Sequence, residues 1–373
     1  MLFVDNLRTF AIILVFLVHI AITYGAAGLW YYKEGQLTGP QYYVFLGFTC
    51  LCQAFFMGLL FLLAGYFTPA SYDRKGPGQF VLDRLTRLWL PVGVFIFLID
   101  PFIQYALISA GVLASPTGLP MTAQAFLGLF TNPLNGLGFG PLWFIEALFF
   151  FTLIYAGWRL ILRSPGKTRS IPRNLTIALF AVVLGAVSFL VRIWLPIGYV
   201  LNPFGFQLPF FPQYIAFFIL GVIAFRGNWL MTLPAKTGTL WLRLAVTLIF
   251  VFLALLSFSA FTGTVYLFFG GFNWQTAFYA FWEQAFAVSI SFGLIVWFRE
   301  KLNFQNPFTK MLSDNSYAAY ILQAPIIVCL ALGLANINMP LALKFLAVAP
   351  IGVALCFVIA YLVRKIPKVN RVL

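Results

Sequence analysis

The sequence is divided by apolar runs, each long enough to cross a lipid bilayer, and these runs leave little chain for anything else. About 20 apolar residues suffice for one helical span. Ten such runs occur, at residues 8–27, 42–68, 88–112, 141–162, 175–195, 210–226, 242–262, 275–298, 316–335 and 341–363. Inside lipid the backbone must satisfy its own hydrogen bonds, which favours helices over an open sheet. The expected fold class is therefore all-α: a polytopic transmembrane helical bundle of about ten spans, in a single integral membrane domain covering residues 1–373. Pro209 and Pro212 flank the short sixth run and weaken its signal. The stretch 263–274 is also apolar and reads as a candidate re-entrant segment. Charged residues make up only 9% of the chain, against about 25% in soluble domains. No soluble surface can be built from this mixture, so the bilayer is the expected partner.

The net charge of +14 would suggest nucleic acid in a soluble protein. Here the placement of the charges decides otherwise. Alternate connections carry Arg74, Lys75, Arg84 and Arg87; Arg163, Lys167, Arg169 and Arg173; Arg226, Lys236 and Arg243; Arg299, Lys301 and Lys310; and the tail Arg364, Lys365, Lys368 and Arg371. The other connections hold little beyond Lys33, Arg192 and Lys344. By the positive-inside rule the basic connections are cytoplasmic, which puts both termini in the cytoplasm. No nucleic-acid partner is then needed to explain the charge. The first run ends at the small residues Ala26, Ala27 and Gly28, the residue type found at a signal-peptide cleavage site. Its retention is favoured because this run carries residues suited to function. The four cysteines, Cys50, Cys52, Cys329 and Cys356, lie in apolar runs, and the chain has one histidine. That leaves no metal-ligand spacing and no disulfide framework to propose. No permanently bound cofactor is expected, and the sequence is silent on oligomeric state.

Ionisable groups inside spans are costly and therefore stand out. His19 lies in the first run, with Arg8 eleven positions earlier. Eleven residues make nearly three helical turns, so the two share a face about 16 Å apart. This places Arg8 at the cytoplasmic surface and His19 near mid-membrane. A neutral imidazole is the usual general base near pH 7, although a lone intramembrane histidine serves as a structural hydrogen bonder about as often. Arg84 and Arg87, spaced i, i+3 at the start of the third span, suit phosphate groups. The competing reading is ordinary positive-inside charge. Glu146 and Glu283 lie within apolar spans and fit site lining or helix–helix pairing equally well. Asp100 and Arg192 read as structural partners.

Taken in order, these residues resemble the acyltransferase 3 family of membrane acyltransferases. The elements are Val4–Ile12 with Arg8 and His19, and the second-span stretch from Gln53 to Phe67. They continue with Arg84-Leu-Thr-Arg87 followed by Pro91, Leu142-Trp143-Phe144, and Ser316-Tyr317 with Tyr320-Ile321-Leu322. The similarity is greatest to the glucan biosynthesis protein C-like subgroup. The sequence departs from the pattern at Gln323, where many relatives carry histidine, and at Ala64, where many carry serine. The resemblance implies a membrane-bound O-acyltransferase. It would move an acyl group, acetyl or alternatively succinyl, from cytoplasmic acyl-CoA as co-substrate to a hydroxyl of an extracytoplasmic carbohydrate or glycan. It also implies His19 as general base assisted by Arg8, Arg84 and Arg87 as the acyl-CoA-binding pair, and Glu146, Glu283 and Gln323 as candidate site-lining residues. The implied location is a bacterial inner (plasma) membrane.

Physics alone also admits a polytopic secondary transporter with a buried ionisable site. Pro325 interrupts the ninth run. No matching pair of broken spans accompanies it, and a transporter gives Arg84 and Arg87 no particular task.

Overall fold

A computed structural model describes residues 1–114, 138–162 and 166–373. Arg163, one of the expected basic-loop residues, lies outside them. Ten helices among the described residues are long and apolar enough to cross a membrane. They are α1 (Leu2–Thr23), α2 (Gly39–Lys75), α3 (Pro77–Ser109), α4 (Gly140–Leu162), α5 (Asn174–Trp194), α6 (Leu208–Arg226), α7 (Ala235–Thr262), α8 (Trp274–Lys301), α9 (Pro307–Gly333) and α10 (Leu341–Arg364). They match the ten apolar runs one for one. The protein is an all-α polytopic bundle. α2 and α8 are its most buried members, while α5 and α7 present most of their surface outward.

Local chemistry sets many of the helix ends. α2 stops at Gly76, whose φ of +73° is easy only for glycine, and Pro77 then opens α3. Asn306 caps α9 through a reciprocal capping box with Thr309. Asn273 accepts from the Thr276 N–H at the start of α8. The apolar stretch 263–274 does not re-enter the bundle as a helical hairpin. It forms a short 3-10 turn at Val265–Phe268 and a loop, which is pinned by Ile197 N–H donating to the Phe269 carbonyl at 2.6 Å.

The third span departs most from expectation. It begins at Pro77 rather than near residue 88, and two π-helical stretches, Leu85–Trp89 and Phe95–Ile99, interrupt it. Each precedes a proline, Pro91 and Pro101. Proline supplies no N–H to the carbonyl four residues earlier and crowds it, so the helix widens locally. The carbonyl that Pro91 leaves without a donor is that of Arg87, and the Tyr317 hydroxyl of α9 donates to it. Pro325 does not break the ninth span, because α9 runs through it unbroken.

Contacts at the two ends of the bundle are of different kinds. At the basic end, Asn6 donates to the carbonyls of Leu302 and Phe304 at 2.7 and 2.9 Å. Arg364 donates to the Asp314 carbonyl, and Asp73 is shared by Arg159 and Arg226 at 2.9 and 2.8 Å. At the opposite end, Lys344 is buried against Glu34 and also donates to the carbonyls of Leu334 and Ile337. Both chain termini are attached to the basic end. α2 and α6 cross with backbones nearly touching. A Cβ on Gly65 would meet the Phe218 carbonyl at 2.2 Å, and one on Gly221 the Leu62 carbonyl at 2.1 Å, the close approach that small residues permit between membrane helices.

Candidate active site

His19 lies four residues before the end of α1, about 26 Å along an axis of about 33 Å. It therefore lies beyond the midpoint of α1, toward the end opposite the basic residues. The offset arises because α1 starts at Leu2 and ends at Thr23, so the apolar residues 24–27 belong to the following loop. The Nδ1 atom of His19 is 2.9 Å from Oε1 of Gln323 on α9. With the Gln323 amide oxygen facing the ring, Nδ1 is the donor and Nε2 keeps its lone pair. The imidazole face lies flat on Trp30, with centroids 3.9 Å apart and planes at 13°. One neighbour thus fixes the ring by its edge and the other by its face.

Trp30 belongs to the α1–α2 loop, which folds back over this end of the bundle. Besides the Glu34–Lys344 pair, the Tyr31 hydroxyl donates to Asp100 of α3 at 2.6 Å. Burial, reinforced by the Asp100 carboxylate, holds the Tyr31 hydroxyl well above the usual tyrosine range. Tyr31 therefore remains the donor in this bond. Asp100 is a structural partner as expected, but to a tyrosine instead of an arginine.

His19 lines a cavity of about 350 Å³. Its lining includes residues of connections at the non-basic end, Gly28, Gly198, Gln207 and Phe269, together with Gln53, Trp143, Phe210, Tyr279 and Tyr320. The cavity therefore lies toward the end away from the basic residues. Broad aromatic faces beside amide side chains suit a ring that bears both C–H faces and hydroxyls.

Behind two of these aromatic walls lies a fully buried ion pair. Arg192 of α5 meets Glu283 of α8 at 2.5 Å, and its guanidinium also lies against the rings of Phe210 and Tyr279. Gln284 donates to the same carboxylate oxygen at 2.8 Å, and Gln213 links Gln284 to the Ala54 carbonyl. Glu283 thus does not line the cavity. It supports the wall, and Arg192 is its partner, in keeping with the structural reading of that arginine.

Glu146 does not reach the cavity either. It is fully buried on α4, and neither carboxylate oxygen has a hydrogen-bond partner among the described residues. The next turn of its helix carries Phe149 and Phe150, whose rings both meet Trp89 of α3. Phe144 and Phe151 face the other way, toward Phe61 of α2.

The three arginines lie at the basic end. Arg8 is 3.5 Å from Asp5 and sits over the Phe67 ring, so the structure separates it from His19 by three turns of α1. Arg84 and Arg87 are not at a helix start, since α3 begins seven residues before Arg84. Arg84 packs over Phe80 and its buried Nε has no partner among the described residues. Arg87 is 58% exposed and 3.4 Å from Asp83. Tyr317 lies within electrostatic reach of both guanidinium groups. From it, α9 presents Tyr317, Tyr320 and Gln323 at three-residue spacing, a stripe rising about 9 Å from the arginines to His19. Tyr320 donates to the Pro141 carbonyl and lines the cavity.

Nothing in the sequence pointed to Trp30 or Gln207 as part of the site. Gln53, Trp143 and Tyr320 lay within recognisable motifs without an assigned role. Among the described residues no cluster of three potential metal ligands occurs.

A ten-span helical bundle with a histidine at the wall of a cavity defines an integral membrane protein. The family follows from comparison. Residues 1–364 match the acyltransferase 3 family, described as an acyltransferase domain, and the chain belongs to that family. It is an acyltransferase. No curated protein and no solved structure matches it significantly.

Proposed function

We propose that this protein transfers an acyl group, acetyl in the first instance and succinyl as the alternative, from cytoplasmic acyl-CoA to a hydroxyl of an extracytoplasmic carbohydrate. The observation that carries this reading is His19, with Nδ1 bonded to Gln323 and the ring at the wall of a cavity near the end away from the basic residues. Nε2 then serves as general base for the acceptor hydroxyl. Arg84 and Arg87, with Arg8 on the same side, hold the phosphates of the acyl-CoA. The pantetheine arm follows the α9 stripe past Tyr317 and Tyr320 toward His19. As the acceptor oxygen attacks the thioester carbon, its proton passes to Nε2, and the departing thiolate takes that proton back. Transfer is direct, with no acyl-enzyme intermediate required.

The setting follows from the charge distribution. The positive-inside rule makes the basic end cytoplasmic, so the cavity faces the acceptor's compartment, and membership of the family favours the inner membrane of a bacterium. The aromatic and amide lining supports a sugar as acceptor, and residues 1–373 act as one domain.

Sidedness provides the test. Proteoliposomes with protein of sorted orientation are given acetyl-CoA on one face and a soluble glucan on the other. The reading predicts acetylated glucan only when acetyl-CoA meets the basic face. Equal product from both orientations, or product only with acetyl-CoA at the cavity face, contradicts it.

A further inference from the structure

A second concavity lies on the outside of the bundle, between α4 and α6. This groove of about 530 Å³ is lined by Phe151, Tyr155 and Trp158 of α4 and by Ile215, Phe218 and Val222 of α6. The rings of Phe151 and Phe218 meet across its floor, with centroids 5.5 Å apart. Ile154 and Ile219 face it from exposed rims. Its position along the bundle is fixed by α6. From Ile215, at the inner end of the groove, to Arg226, at the basic end of the helix, eleven residues rise about 16 Å. One leaflet contributes roughly half of a hydrocarbon core of about 30 Å, so the groove runs the depth of the leaflet at the basic end. An apolar groove at that depth meets hydrocarbon and not water.

The mouth of the groove is charged. Arg159 of α4 and Arg226 of α6 reach back to one carboxylate, Asp73 of α2, at 2.9 and 2.8 Å. Arg159 also donates to the Tyr155 hydroxyl on the groove wall at 2.9 Å. Two cations thus share one anion. The α4–α5 connection crosses the same end of α6. Its Arg169 carbonyl accepts from Trp229 Nε1 at 2.9 Å, and a Cβ on Gly227 would meet that carbonyl at 2.3 Å. The connection carries Lys167, Arg169 and Arg173, all exposed, and among the described residues none of the three is in an ion pair.

We propose that this groove binds an anionic phospholipid of the leaflet at the basic end. One acyl chain lies along Phe151, Phe218 and Ile215, and the headgroup phosphate meets Lys167, Arg169 and Arg173. Trp158 sits at the interfacial level, where indole rings are favoured. Charge selects the occupant, because a zwitterionic lipid fills the groove equally well but brings its own cation to a basic mouth. The seated lipid bridges α4 and α6, whose opposite ends carry Trp143 and Phe210 of the His19 cavity wall. The inference does not depend on the acyl-transfer reading.

Native mass spectrometry of the full-length protein tests it. The protein is delipidated in detergent and titrated with dioleoyl phosphatidylglycerol or dioleoyl phosphatidylcholine. Wild type is expected to hold one phosphatidylglycerol roughly ten- to a hundredfold more tightly than phosphatidylcholine. Lys167→Ala/Arg169→Ala/Arg173→Ala, at exposed positions, should abolish that preference. Ile154→Trp/Ile219→Trp fills the groove from its rims and should remove the tightly held lipid. Leu346→Trp, at an exposed position on α10, should leave it in place. Equal affinity for the two lipids in wild type overturns the proposal. So does a preference that survives the triple alanine variant, a tight lipid that survives the filled groove, or an equal loss in Leu346→Trp. Should Ile154→Trp/Ile219→Trp not fold, the headgroup comparison in wild type and the triple alanine variant decides.

Discussion

Arg192→Met is the most informative change to the frame of the site. Arg192 and Glu283 are both wholly buried and 2.5 Å apart. Removing the guanidinium leaves Glu283 with the single bond from Gln284 at 2.8 Å. Breaking a buried pair by deleting one partner costs about 3–5 kcal/mol. The surviving Gln284 bond places the expectation at the lower end, about 3 kcal/mol, or roughly a hundredfold in the unfolding equilibrium. The side chain also supports Phe210 and Tyr279, so the cavity wall should loosen with it. The double variant Arg192→Met/Glu283→Met removes both charges and fills a similar volume, and replacement of this kind is often neutral or stabilising. Reversible unfolding in mixed micelles, followed by tryptophan fluorescence, measures both variants, with acetyl transfer assayed alongside. The expected pattern is a large loss for the single variant and recovery of most stability and activity in the double. A double variant that folds as wild type yet lacks activity would refute the reasoning, because Glu283 would then have a chemical task that its geometry does not give it.

Two further expectations follow from the helix crossing and the basic end. Gly221→Ala should destabilise the bundle by about 1–3 kcal/mol, because the added carbon meets the Leu62 carbonyl at 2.1 Å and the Tyr66 nitrogen at 2.7 Å; the same unfolding measurement checks this. Arg84→Ala/Arg87→Ala should weaken acetyl-CoA binding roughly ten- to a hundredfold by titration calorimetry in matched detergent, since a charge-assisted bond contributes about 1.5–3 kcal/mol. Unchanged affinity in the folded variant removes the phosphate role.

The ten spans were legible because length and apolarity are local properties that lipid enforces. The course of α3 was less so. A hydropathy window passes over Pro77–Arg84, where Gln79, Asp83 and Arg84 dilute the signal, yet Gly76 and Pro77 start the helix there. Glu146 and Glu283 looked alike in sequence, each one carboxylate in an apolar run. What separates them is Arg192, 91 residues from Glu283 along the chain, and no local pattern encodes that pairing. His19 was legible as the one histidine in a span. Its two neighbours were not: Gln323 is 304 residues away, and Trp30 is brought back by a loop held through Glu34–Lys344 and Tyr31–Asp100. Gln323 looked like a lost base. Its bond to Nδ1 makes it the group that supports the account of His19 as the base.

The central claim is that His19 takes the proton of the acceptor hydroxyl, and His19→Gln tests it most directly. Glutamine at this position can still bond to Gln323 and lie against Trp30, so the fold is expected to persist, while no base remains at Nε2. Acetyl transfer from labelled acetyl-CoA to glucan, measured with purified protein in proteoliposomes, should fall about 10²–10⁴-fold with acetyl-CoA binding intact. Transfer at the wild-type rate in a folded His19→Gln protein would contradict the mechanism.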